Sequence, residues 1–136
     1  MKSILAVIAM GIVLATGSID AEARGRSWSG GTKSFMTYKK PGPRGKVYVG
    51  RTSGKGPEQK ILARRDSSHH MNKAGYGPAE IDKTSPNKDA IRGREQAQID
   101  KYRQAGKSGN AINGISPKNP KRNHYLSESE KEFGKP

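Results

Sequence analysis

Residues 34–50 read SFMTYKK-PGPRG-KVYVG, and this stretch sets the fold. Two short runs enriched in aromatic and β-branched residues flank a turn containing two prolines and two glycines. Two short strand-like runs separated by such a turn predict a β-hairpin. The second run, Val47-Tyr48-Val49, is expected to end as a strand at Gly50, with Arg51 placing positive charge directly beyond it.

Outward from the hairpin, Pro57 with Glu58 behind it suits the start of a helix running to about Ser68, through ILARRDSS. PAEIDKT, residues 78–84, reads as a third strand. Asn87 or Ser85 then caps a second helix from about Lys88 to Ala105, which Gly106 ends. Residues 110–126 are rich in Asn, Pro and Gly and predict irregular structure, and SESEKEF near the end predicts a short helix. The expected class is α+β: a small three-stranded antiparallel sheet flanked by helices. The expected organisation is a domain over residues 34–116, a flexible lead-in over 24–33 and a C-terminal extension over 117–136.

The first 23 residues differ from the rest. Lys2 precedes the uncharged apolar run ILAVIAMGIVLATG, and Ala21-Glu22-Ala23 supplies small residues of the A-x-A kind. That order is the pattern of a secretory signal peptide, so a secreted or periplasmic protein cut near Ala23 is expected. The run is short for a membrane-spanning helix. With no Cys in the chain, a disulfide scaffold and a Cys nucleophile are both excluded.

The 136 residues carry 26 Lys and Arg against 12 Asp and Glu, a net charge of +14, while only 31% are hydrophobic. The core must be small and the partner polyanionic: nucleic acid, an anionic membrane or an acidic protein. No long stretch sets a wide apolar face against Lys and Arg, which disfavours a membrane-active peptide. Nucleic acid, DNA before RNA, is the expected ligand.

Several chemistries fail on motif grounds. GRTSGKG and AGKSG both miss the phosphate-loop pattern, no GxSxG elbow is present, and His69, His70 and distant His124 make a poor zinc set. What remains is Tyr48 on a strand, Arg64-Arg65 and His69 on the first helix, where Arg65 and His69 four apart share a face, and Glu95 on the second. Ile91, Ile99 and Tyr102 form an apolar stripe on that helix, and Glu95 lies four residues from each isoleucine. A carboxylate there needs a partner, either a salt bridge to a nearby arginine or a functional cation. Arginine, histidine, tyrosine and acid on one small sheet suit phosphodiester cleavage. The acid would hold a divalent metal, arginine would stabilise phosphate charge, and tyrosine or histidine would orient or deprotonate water.

This ordered set resembles the GIY-YIG endonuclease family. VYVG at residues 47–50 stands for the second half-motif and Met36-Thr37-Tyr38, degenerate, for the first. RRDSSH, residues 64–69, is similar to the arginine and histidine of the family's first helix, with Arg64 or Arg65 as the catalytic one. Glu95 stands where the family's metal-binding glutamate lies, and Asn110 where its following asparagine lies. The resemblance implies Tyr38, Tyr48, Arg65, His69, Glu95 and Asn110 as catalytic residues, with one Mg²⁺ (or Mn²⁺) ion on Glu95. Asn110 would hold the glutamate or a phosphate oxygen, while Arg51, Arg64 and His70 would contact substrate. DSSHHMN, AIRGREQ and SGNAINGISP are also similar to C-terminal nuclease modules of polymorphic bacterial toxins. That likeness implies an acidic immunity protein as a further partner. The alternative is a secreted cationic protein that binds nucleic acid or anionic envelope without catalysis.

Overall fold

The computed structural model describes residues 31–136. The expected signal peptide and most of the lead-in fall outside the described residues. Three strands form one antiparallel sheet: β1 (Ser34–Pro41), β2 (Val47–Gly54) and β3 (Glu80–Ser85), in the order β2-β1-β3. Three helices accompany it: α1 (Glu58–Ser67), α2 (Lys88–Gln104) and α3 (Arg122–Phe133). The class is α+β, with the hairpin as its nucleus.

β2 does not stop at Gly50. It continues to Gly54 because β1 pairs with it along its whole length, from Pro41↔Val47 to Ser34↔Gly54. Gly50 has a different purpose. A Cβ there would lie 2.5 Å from both Cζ and Oη of Tyr38, so only glycine lets the Tyr38 ring cross the neighbouring strand. Within the turn, Arg44 (φ 61°) and Gly45 (φ 72°) adopt left-handed backbone, closed by Gly42 N–H donating to Lys46 O at 2.7 Å.

The alternation of β1 divides the core. Met36, Tyr38 and Lys40 are fully buried on the face covered by α1, where Ile61 and Leu62 meet them. Lys40 is neutralised by Asp66 at the end of α1. Thr37 faces the other layer and donates to Asp82 Oδ2 at 2.9 Å. Asp82 sits at the β-bulge in the β1–β3 pairing, where it also receives Arg94 Nε (2.9 Å) and Gln98 Nε2 (3.2 Å) from α2. These bonds and the Arg94 charge hold the Asp82 carboxyl below its ordinary range, against the burial that works to raise it. A buried ionic knot therefore fixes α2 to the sheet.

Of the two residues expected to cap α2, Asn87 is the cap and Ser85 braces it. Asn87 Oδ1 accepts from Asp89 N–H (3.0 Å) and Ala90 N–H (3.3 Å), while Ser85 Oγ accepts from Asn87 N–H (2.9 Å). The segment 117–136, expected as an extension, contributes a third helix that starts at Arg122. It packs along α2 so closely that a Cβ on Gly93 would lie 1.9 Å from Tyr125 O. Residues 117–136 thus belong to the same compact unit as the sheet. No helix among the described residues is long and apolar enough to cross a membrane.

Candidate active site

The site lies beside β2, one of the two edge strands of the sheet, where α1 and α2 approach it from opposite faces. Tyr38 supplies the central group. Its hydroxyl is 2.8 Å from His69 Nε2 and accepts from Arg65 Nε at 3.2 Å. The His69 tautomer follows from its other nitrogen, because Met71 N–H donates to Nδ1 at 3.1 Å. Nδ1 is then an acceptor, the neutral ring carries its proton on Nε2, and Nε2–H donates to Tyr38. The phenolic oxygen therefore receives two donors and needs its own proton for neither bond.

The histidines depart from the helical expectation. α1 ends at Ser67, and His69 has extended backbone (φ −71°, ψ 130°) ahead of a short 3₁₀ turn, His70–Ala74. Freed from helical geometry, the His69 and His70 rings stack at 4.6 Å and 19°, and the Tyr48 ring meets both edge-on at 4.9 and 5.5 Å. Burial, with Arg65 and His70 beside it, pulls His69 down to about 4. With Nδ1 occupied and Nε2 protonated, His69 is a neutral donor that orients Tyr38. The expectation of His69 as a proton acceptor does not fit this arrangement.

Burial also pushes Tyr38 up to about 12; the Arg65 hydrogen bond opposes the rise and the charge of Glu95 adds to it. Tyr48 is raised by the same burial and by Glu95. Both tyrosines are neutral hydroxyls near pH 7. Of the two arginines, Arg65 reaches Tyr38, whereas Arg64 is an exposed residue on α1.

Glu95 lies on the opposite side of β2. Its Oε2 accepts from Arg51 Nε at 2.8 Å; the carboxylate is mostly buried and the guanidinium is 40% exposed. Burial nevertheless pushes the Glu95 carboxyl above its ordinary value, against the attraction of Arg51, Arg92 and Arg65. Tyr48, Arg51 and Glu95 line one cavity of about 220 Å³, closed by residues 110–114 of the loop after α2.

Asn110 borders this cavity, but its amide is committed to the strand. Oδ1 accepts from Val49 N–H at 2.9 Å and Nδ2 donates to Val49 O at 2.8 Å. Asn110 mimics a further β-strand and holds the cavity loop against β2, rather than holding Glu95 or a phosphate. Among the described residues no three His, Cys, Asp or Glu gather as a metal cluster. Glu95 alone fits a hard cation bound by one carboxylate, waters and ligand oxygens, the mode suited to Mg²⁺ and not to zinc.

Arg51 and Arg65 also line a second, wider cavity of about 430 Å³ together with Lys33 and Lys88, neither of which the sequence motifs singled out. Their only sequence signal was membership of a basic chain. Lys40 and Asp66 were likewise missed, since a pair 26 residues apart has no local signature. Comparison with known proteins returned no matching family model, no matching curated protein and no matching solved structure.

Proposed function

We propose that this protein is an exported, metal-dependent endonuclease of the GIY-YIG kind that hydrolyses phosphodiester bonds, DNA before RNA. The observation that carries the reading is the placement of two tyrosines, a cationic arginine and a mostly buried carboxylate around one strand. In this reading the scissile phosphate enters beside Tyr48 and Arg51. Arg65 offsets the charge that develops on its oxygens, and Arg51 leaves the Glu95 carboxylate to pair with the incoming anion. Tyr38, buried and held by His69, fixes the Arg65 guanidinium in place, and the half-buried Tyr48 is the tyrosine that meets the phosphate or the attacking water. Glu95 would hold one Mg²⁺ or Mn²⁺ ion, which acidifies bound water and neutralises phosphate charge. His70, exposed beside Tyr48, and Arg64 on the outer turn of α1 are placed to touch more distant parts of the substrate.

Export would keep such an enzyme from the producing cell's own chromosome. An antibacterial toxin held in check by an acidic immunity protein is one setting that suits it. The Arg51–Glu95 ion pair favours a second reading, in which Glu95 is only charge-balanced and the protein binds nucleic acid without cutting it. Plasmid DNA incubated with the purified protein in Mg²⁺ or in EDTA separates the two. Nicking that needs the metal supports the enzyme, and a gel shift without nicking in either buffer supports the binder.

A further inference from the structure

The outer edge of β2 is half closed. Val47 N–H donates to Lys107 O (2.8 Å) and Val47 O accepts from Gly109 N–H (2.8 Å), and the Asn110 amide then pairs both backbone groups of Val49. Strand geometry aims every second residue's backbone outward, so Arg51 and Ser53 follow Val47 and Val49 on that edge. Their outward amides meet no partner among the described residues. The open half lies in the wider cavity, whose wall carries Lys33, Arg51, Arg65 and Lys88 and the hydroxyl residues Thr52 and Ser53, with no carboxylate. Lys33 is steadied over the Phe35 ring, its Nζ 5.4 Å from the centroid. Arg51 also belongs to the wall of the Glu95 cavity, so the two cavities share a residue.

We infer that this groove is a binding track for one nucleic-acid strand, with Lys33, Lys88 and the open edge of β2 holding phosphates that flank the reacting one. The assignment rests on nucleic acid being the ligand, and not on cleavage. Four cations beside outward backbone N–H groups match a chain of regularly spaced anions, since backbone amides and basic side chains are the usual phosphate contacts. The track reads phosphate and not sequence, and it selects a strand long enough to reach from Lys33 to Glu95. A single strand is the form that fits against a strand edge.

The test uses the purified protein carrying Glu95→Gln, so that the probe is not consumed, and a fluorescent single-stranded DNA oligonucleotide. Its affinity is measured across salt concentrations with Lys33→Glu/Lys88→Glu and with Lys118→Glu/Lys131→Glu, which makes the same change in net charge away from the groove. All four lysines are exposed, so both pairs are expected to fold, which thermal melts check. A Lys33→Ala/Lys88→Ala pair repeats the test without added negative charge. The groove pair is expected to weaken binding at least tenfold and to lower the slope of log K against log salt by about 1.4, two contacts at about 0.7 each for a single strand. The remote pair should change the slope by less than half of that. Equal effects of the two pairs would overturn the track. So would displacement of the oligonucleotide by poly-glutamate at equal charge concentration, which would make the groove a site for acidic peptide. If the groove pair behaves as expected while the parent protein fails to cut DNA, the track stands and the nuclease reading falls.

Discussion

Two buried acids differ in how their charge bears on the fold. Asp82 is drawn below its ordinary value by Arg94, Thr37 and its other partners, so its charge favours the fold. Glu95 is raised by burial despite Arg51, so its charge opposes the fold. Asp82→Asn is therefore expected to cost about 3–5 kcal/mol in denaturant unfolding, as when one partner of a buried pair is removed. Glu95→Gln should melt at the same temperature as the parent protein or above it, and a marked drop would show that the carboxylate is structural. His69 sets an acid limit. Its folded value near 4 lies below the ordinary 6.5, so between those values the unfolded chain binds more protons. Stability from neutral His69 is complete above about pH 6.5, declines as pH falls through the window, and is gone below about 4. The difference in Tm between the parent protein and His69→Gln should therefore shrink from pH 7.5 to pH 4.5; a constant difference would contradict the buried neutral imidazole.

The elements were legible where local rules were strong. Two strand-like runs around a Pro/Gly turn gave the hairpin, and Asn87 with Gly106 bounded α2 to within a residue. The end of β2 was misplaced because glycine reads as a stop in sequence, whereas Gly50 is required by a ring on the adjacent strand. α3 was read too short and too loose for the same reason. What holds it is Gly93, nearly thirty residues before it, and nothing in HYLSESE announces that contact. Gly93→Val is accordingly expected to lift α3 from α2, with a loss of at least about 1–3 kcal/mol of overpacking strain visible in chemical denaturation. A fully stable variant would mean that α3 is not seated there. The candidate site was legible as residue types but not as roles. Tyr48, Arg65 and Glu95 could be picked out by charge and placement and Tyr38 only by the family resemblance, but the commitment of Asn110 to Val49 and of His69 to Met71 depends on long-range register and on a helix ending at Ser67.

At the scale of the whole molecule, a net charge of +14 on 136 residues makes attraction to polyanions unavoidable, so binding to DNA says little about purpose. Cleavage says more, and in the proposed enzyme it depends on Glu95. The most direct measurement is the single-turnover rate of DNA cleavage in Mg²⁺ by the parent protein and by Glu95→Gln, each at protein concentrations that saturate the substrate. The proposed enzyme should lose at least a hundredfold in rate, with affinity for DNA within a few-fold of the parent protein and an undiminished Tm. Cleavage at an unchanged rate by the Glu95→Gln protein would contradict it.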